Sequence, residues 1–177
     1  MESVRISNHV VSPTDSYMFD TNVWIYLFGP VAGSNRYKQK MYSGLLKDIL
    51  SRNACIFISS LVLSEYINRV LRIAFSQWKQ ENCMYDADFK RDYRKTEDYR
   101  EALEDVVEQV REILSITERR PDDFNAINVD VVLDQMTQDC DYNDSYLIKC
   151  CEKGNIKLVS DDRDVRNIDS PICVISA

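Results

Sequence analysis

The sequence is poor in the residues and runs on which several protein classes depend. It has a single histidine, His9, in 177 residues, which excludes most histidine-rich zinc sites and Ser-His catalytic designs. Its longest apolar runs, residues 23–28 and 54–58, are far shorter than the roughly 20 residues that span a bilayer. The N-terminus lacks the apolar stretch of a secretory signal. We therefore expect a cytoplasmic protein with no membrane partner.

The six cysteines, at positions 55, 83, 140, 150, 151 and 173, show no C-x-x-C pair and no spacing of a secreted disulfide scaffold. Four of them lie inside apolar stretches, where a reduced thiol packs as a small hydrophobic group. We expect the cysteines to be reduced.

Positive charge is also scarce. Lys and Arg number 22 against 29 Asp and Glu, which gives a net charge of −7. The excess lies near the C-terminus: residues 120–177 hold 6 basic and 12 acidic side chains, and residues 1–119 hold 16 and 17. This balance excludes a basic protein that wraps nucleic acid through diffuse attraction. It does not exclude a site that handles phosphate through a bound cation.

Short apolar runs alternate with helical patterns along the chain, and the length favours one domain over residues 1–177. Strands are predicted at 16–20, 55–59, 156–160 and 172–176, with a weaker candidate at 125–129. Helices are predicted at 36–52, from residue 60 onward, from about 97 to 120, at 130–139 and at 141–153. The alternation predicts an α/β layer fold with a parallel sheet.

Acidic residues recur after the predicted strands and at the start of the helices. They are Asp20, Glu65, Asp141, Asp144, Asp161 and Asp162. The carboxyl ends of parallel strands meet at one edge of a sheet, so these side chains are expected to converge. A cluster of carboxylates without Lys or Arg is tolerable when it binds a hard cation, and oxygen ligands favour Mg²⁺ or Mn²⁺. The alternative for any single acid, such as Asp20 or Asp141, is a helix N-cap or a solvated surface charge.

Four segments resemble the PIN-domain nucleases, which include the ribonuclease toxins of bacterial toxin–antitoxin pairs. They are F-D-T-N-V-W-I at 19–25, S-S-L-V-L-S-E-Y at 59–66, D-Y-N-D-S-Y-L-I at 141–148 and L-V-S-D-D-R-D-V at 158–165. Their order and spacing are similar to the family pattern over most of the chain. The resemblance implies a three-layer α/β fold with a central parallel sheet of four to five short strands flanked by helices.

The resemblance also implies a site. Its catalytic and metal-binding acids would be Asp20, Glu65, Asp144 and Asp162, with Asp141 as a further metal ligand, and one or two Mg²⁺ or Mn²⁺ ions as cofactors. Asn22 and Ser160 would support these acids, whereas Asp161 and Asp164 are expected to face solvent.

The implied activity is metal-dependent endonucleolytic cleavage of single-stranded RNA that leaves a 5′-phosphate, with the divalent ions activating the attacking water and steadying the leaving oxygen. The same resemblance implies an antitoxin partner and a homodimer. One alternative is a catalytically weak PIN-fold module for protein interaction. If the chain is a toxin, Trp24, Tyr26, Phe28 and Tyr37 would offer an apolar groove to an antitoxin segment. The alternative for these four residues is that they belong to the core. An aspartyl phosphatase is disfavoured because it needs an acid two residues after Asp20, where Asn22 stands.

The stretch from about 79 to 120 is longer than in compact members of the family, and its composition predicts a helical insertion. Within it the basic residues Lys90, Arg91, Arg94, Lys95 and Arg100 interleave with Phe89, Tyr93 and Tyr99. Basic groups mixed with aromatic rings suit single-stranded nucleic acid, through phosphate contacts and base stacking. The alternative is a solvated amphipathic helix whose aromatic rings pack inward.

Overall fold

The central element is a sheet of six strands that pair in parallel throughout. The computed structural model describes residues 2–30, 32–121, 123–138, 140–163, 165 and 170–177. The strands are β1 (Glu2–Arg5), β2 (Ser16–Phe19), β3 (Cys55–Ile58), β4 (Glu118–Arg119), β5 (Lys157–Val159) and β6 (Cys173–Ser176), in the spatial order β1-β6-β5-β2-β3-β4. The predicted α/β class with a parallel sheet is confirmed. The number of strands is six rather than four to five, because β1 and β4 add one short strand at each edge.

Six α-helices of the described residues connect and cover the sheet. They are α1 (Thr21–Phe28), α2 (Arg36–Ser51), α3 (Ser60–Glu81), α4 (Glu97–Ser115), α5 (Val129–Asp134) and α6 (Tyr142–Gly154). Each begins after an Asp, Asn, Ser or Thr whose side chain accepts a backbone N–H of the first turn. Among the described residues, no helix is both long and apolar enough to cross a membrane.

The strand order places a crevice between β2 and β5. From β2 the chain moves outward through β3 to β4 and then returns to the other side of β2 for β5 and β6. In open parallel sheets, ligand sites form outside the carboxyl ends of strands where the order reverses in this way. At this point Asp20 follows β2 and Ser160 follows β5, and the Asp20 amide donates a 2.9 Å hydrogen bond to the Val159 carbonyl.

The segment from 79 to 120 is largely helical, and it is packed onto the rest of the chain. The long helix α3 runs to Glu81, and the side chains of Val106 and Ile113 on α4 are buried in the same core as the sheet. The helix predicted to reach 120 ends earlier, at Ser115, because residues 118 and 119 pair with β3. The Arg120 amide extends this pairing with a 2.9 Å bond to the Ile58 carbonyl.

The weak strand predicted at 125–129 is wrong. Residues Phe124–Ala126 form a single 3₁₀ turn, and α5 begins at Val129. Asn128 explains the difference, because its side chain accepts the amide N–H of Asp130 and so starts a helix. The helix predicted at 130–139 ends at Asp134, and residue 139 lies outside the described residues.

Candidate functional site

Asp20 lies at the junction of β2 and α1, and its carboxylate is buried. Oδ1 accepts the Thr21 amide at 2.6 Å, whereas Oδ2 accepts the side-chain amide of Asn22 at 2.8 Å and the hydroxyl of Ser160 at 2.7 Å. Burial raises the pKa of Asp20 to about 6, with further increases from the charges of Glu65 and Asp162. The hydrogen bonds from Ser160 and Thr21 act in the opposite direction. Asp20 is therefore an N-cap and, at the same time, part of a group of interacting acids.

Asp144 stands in the first turn of α6, above the same sheet edge. Its backbone amide donates to Asp141, the N-cap of that helix, at 3.1 Å. Burial raises the pKa of Asp144 to about 7, and the charges of Asp141, Asp20 and Asp162 raise it further in that order of size. Asp144 therefore experiences the field of acids from three separate segments of the chain.

Asp162 and Glu65 complete the set from two further directions. The Asp162 amide donates to the Ser160 hydroxyl at 3.0 Å, which fixes the backbone beside Asp20. Glu65 projects from the second turn of α3 and forms a 3.4 Å ion pair with Arg69, one turn further along. Asp20 thus experiences the charges of Glu65 and Asp162, and Asp144 experiences those of Asp20 and Asp162, so Asp20 links Glu65 to the other acids.

The donor set fits a hard divalent cation by its chemistry. Every candidate ligand at this edge is a carboxylate oxygen, the ligand type that Mg²⁺ and Mn²⁺ prefer. The raised pKa values of Asp20 and Asp144 reflect burial and repulsion that a bound cation would offset. Over the described part of the chain, no three His, Cys, Asp or Glu residues are yet arranged as a group that could hold a metal ion. Binding would therefore require the acids to draw together.

Asn22 links Asp20 to the turn that follows β5. Its side-chain nitrogen donates to Asp20, and its oxygen accepts the Asp161 amide at 3.3 Å. Both predicted supporting residues, Asn22 and Ser160, thus contact the Asp20 carboxylate directly. These bonds fix one acid of the site from two elements, α1 and the end of β5.

The Asp161 side chain does not face solvent, which corrects the expectation from the sequence. Its carboxylate accepts hydrogen bonds from the Lys38 ammonium, from the Tyr26 hydroxyl at 3.2 Å and from the Tyr42 hydroxyl at 3.1 Å. The hydrogen bond to Asp161 raises the pKa of Lys38, which keeps the ammonium charged. Asp164 lies outside the described residues.

Sequence reasoning missed Lys38, Tyr26 and Tyr42 as neighbours of the site. The only local signal is that Lys38 and Tyr42 are four residues apart on α2 and so share a face. Their common partner is more than 100 residues away in sequence. No local pattern identifies such a contact.

The basic segment 89–100 keeps its charges at the surface and buries much of its aromatic area. Tyr93 is only 1% exposed and packs against Phe75 and Trp78 of α3, with Phe89 and Tyr99 around it. The Tyr93 ring therefore packs inward, which is the alternative to stacking on bases.

The predicted basic residues of this segment differ in how they are held. Arg91 pairs with Asp92 at 2.8 Å and Arg100 with Glu97 at 2.5 Å. The Arg94 guanidinium lies over the Phe89 and Tyr99 rings, whereas Lys90 and Lys95 are exposed. The segment packs near Trp78, about 20 Å along α3 from Glu65 at 1.5 Å per residue.

The four aromatic residues considered for an apolar groove do not form one exposed surface. Trp24 is fully buried and packs on Phe19 and Phe28, with ring centroids 5.0 and 6.0 Å apart. Tyr26 stacks on the buried Tyr42, whereas Tyr37 is 66% exposed. Trp24 therefore belongs to the core.

Comparisons with known proteins agree with this architecture. A family model described as PIN domain matches residues 17–171. A comparison with curated proteins finds no match. The fold is similar to a chain in the crystal structure of VapBC2 from Rickettsia felis bound to a DNA fragment from their promoter, with a TM-score of 0.53, 17% identity and coverage of 90% of this chain and 98% of that chain. PAE2754 from Pyrobaculum aerophilum aligns with a TM-score of 0.46, 16% identity and coverage of 90% and 91%.

Proposed function

This chain belongs to the PIN-domain family, whose members are generally nucleases, and we propose that it is a metal-dependent endoribonuclease that cleaves single-stranded RNA. The observation that supports this most is the pKa of Asp144, raised to about 7 by burial and by the charges of Asp141, Asp20 and Asp162. A group of carboxylates with raised pKa values in a crevice at the edge of a sheet is typical of a functional site rather than of separate surface charges.

In this proposal Asp20, Glu65, Asp144 and Asp162 hold one or two Mg²⁺ or Mn²⁺ ions, with Asp141 as a further ligand. When bound, a divalent cation supplies Lewis-acid activation of the attacking water and charge stabilisation of the leaving oxygen. Ser160 and Asn22 orient Asp20, because each donates to its Oδ2 atom. The Thr21 amide holds the other oxygen, so the carboxylate has little freedom to rotate.

RNA is the proposed substrate although the chain carries a net charge of −7. A cation bound by the acids would reverse the local field where the scissile phosphate sits. The exposed segment with Lys90, Arg91, Arg94 and Lys95 would then contact phosphates away from the cleaved bond. Because the Tyr93 ring is buried, this contact would rest on charge more than on stacking.

We also propose that the protein is the toxin of a toxin–antitoxin pair, with an antitoxin protein and a second copy of the chain as partners. The similarity of fold to a chain of VapBC2 supports this. All six cysteines are free thiols in the structure, which fits action in the reducing cytoplasm.

The test is cleavage of an end-labelled single-stranded RNA by the purified chain with Mn²⁺ or Mg²⁺, with chelator, and with Asp20→Asn. We expect cleavage to need the metal and to fall by about 100-fold or more in Asp20→Asn, because a metal ligand is lost. Asp48→Asn is the matched control, since Asp48 is an exposed acid on α2 away from the carboxyl edge.

Equal cleavage with and without chelator would contradict the metal-dependent mechanism. A chain that binds Mn²⁺ and captures a partner protein tightly, yet leaves RNA and DNA intact, would instead favour the interaction module.

A further inference from the structure

The turn 160–162 is anchored to helix α2 through the side chain of Asp161. This side chain is 12% exposed, and it receives hydrogen bonds from Lys38, Tyr26 and Tyr42. The Tyr26 and Tyr42 rings stack with centroids 5.9 Å apart, and the Lys38 ammonium lies 5.3 Å from the Tyr26 centroid. The anchor is therefore a packed unit rather than a single surface ion pair.

The same turn carries two groups of the acidic site. Ser160, one residue before Asp161, donates to Asp20, and Asp162, one residue after it, acts electrostatically on Asp20 and Asp144. The Asp161 amide is also held, by the Asn22 oxygen. Any shift of Asp161 relative to α2 must therefore move both neighbours relative to Asp20.

We propose that Lys38 is a positioning residue, which through Asp161 holds the 160–162 turn so that Ser160 and Asp162 face Asp20. Its consequence for metal binding rests on the proposed function of the acids. Lys38 donates to the Asp161 carboxylate and, at 3.4 Å, to the Tyr26 hydroxyl, so its effect on the four acids passes through this anchor.

The ammonium is needed because the Asp161 carboxylate is mostly covered. Two tyrosine hydroxyls supply hydrogen bonds but no charge, and a covered carboxylate without a cation is strongly disfavoured. Without Lys38, the Asp161 side chain is expected to rotate toward water, and the backbone of residues 160–162 is expected to shift with it.

A purely electrostatic effect of Lys38 would have the opposite sign. Removing a positive charge beside a group of acids strengthens the attraction of that group for Mn²⁺. Removing a positioning residue weakens Mn²⁺ binding, because the ligands are no longer held in place. The direction of the change in affinity therefore separates the two roles.

The experiment compares wild type, Lys38→Met, Lys38→Arg and Lys40→Met by calorimetric titration with Mn²⁺ and by amide hydrogen exchange. Lys40 is an exposed lysine on the same helix, so its variant matches the loss of charge. We expect Lys38→Met to weaken Mn²⁺ binding by about tenfold and to speed exchange at the Asp161 and Asp162 amides. Lys38→Arg should restore both, and Lys40→Met should change neither.

Unchanged or tighter Mn²⁺ binding in Lys38→Met, with unchanged exchange, would overturn the inference. Should Lys38→Met fail to fold, Tyr26→Phe takes its place, because it removes one donor to Asp161 without changing charge, and the same two readings apply. A wild-type chain that binds Mn²⁺ without cleaving RNA would contradict the nuclease proposal, while the affinities still decide the role of Lys38. With no Mn²⁺ binding at all, faster amide exchange supports the anchor and unchanged exchange overturns it.

Discussion

The Ser160 hydroxyl donates a 2.7 Å hydrogen bond to the Asp20 carboxylate, although the two residues are 140 positions apart. The Ser160 hydroxyl oxygen also accepts a hydrogen bond from the Asp162 amide at 3.0 Å. One buried hydroxyl thus joins the ends of β2 and β5 and sets the relative placement of two acids. The hydrogen bond from Ser160 lowers the pKa of Asp20, whereas burial raises it.

Replacing Ser160 with Ala is therefore expected to raise the pKa of Asp20 above about 6. The acid limb of the pH–rate profile for Mn²⁺-dependent cleavage should move to higher pH, since more of Asp20 is protonated at a given pH. The free energy of unfolding should fall by about 1–3 kcal/mol, because a buried carboxylate loses a donor. Ser43→Ala on the exposed face of α2 is the control, and an unmoved acid limb in Ser160→Ala would contradict this role.

Asp144 gives the metal-free protein a pH dependence of definite sign. Burial and the charges of neighbouring acids raise its pKa from the ordinary 3.8 to about 7, so between these values the folded state holds a proton that the unfolded state has lost. Stability from this group is full below about pH 4 and is lost as the pH rises through 7. Asp144→Asn should therefore be more stable than wild type at pH 8, with a smaller difference at pH 5.

Urea unfolding in the presence of chelator at pH 5 and pH 8 measures the difference in stability between Asp144→Asn and wild type. The variant must be compared with wild type because His9 also makes stability depend on pH. Burial lowers the pKa of His9, so its contribution to stability rises with pH below 6.5, opposite to that of Asp144. Asp48→Asn should show no such trend. A difference for Asp144→Asn that does not grow with pH would show that burial and the neighbouring acids do not raise the pKa of Asp144.

The sequence was sufficient to predict the strands that lie in the middle of the sheet and the acids that follow them. The cores of β2, β3, β5 and β6 are apolar runs, and the carboxyl-edge rule then places Asp20 and residues 160–162 together. The strands β1 and β4 were missed because they are short, polar and at the edges, so their pairing partner decides their conformation. The contacts of Asp161 cannot be predicted locally for a similar reason, since its partners come from α1 and α2.

The helix α4 should behave as part of the core rather than as an appendage. Ile113 is fully buried in the cluster that contains the sheet. Ile113→Ala is expected to lower the free energy of unfolding by about 3 kcal/mol through the cavity that it leaves. Val107→Ala on the same helix, at a position 39% exposed, should change it by less than about 1 kcal/mol. Chemical unfolding of both variants measures the difference, and similar small losses would mean that α4 packs loosely.

Lys90 and Lys95 are the residues through which the segment 89–100 can be tested for contact with RNA. Both are exposed, and among the described residues neither forms an ion pair, in contrast to Arg91 and Arg100. Each phosphate contact on a single strand contributes about 0.7 to the slope of log affinity against log salt. The variant with both lysines changed to Ala should therefore bind single-stranded RNA more weakly at low salt, with a slope reduced by about 1.4.

Fluorescence anisotropy with a labelled RNA, from low to moderate salt, gives both quantities. The matched control changes Lys40 and Lys47 of α2 to Ala, which removes the same charge from exposed positions outside the segment. A slope that falls equally in both variants would indicate a general effect of lost charge. An unchanged slope in the Lys90 and Lys95 variant would show that the segment 89–100 does not contact RNA. The expected reduction in that variant alone would extend the RNA contact about 20 Å along α3 from Glu65, well beyond the acids proposed to hold the metal.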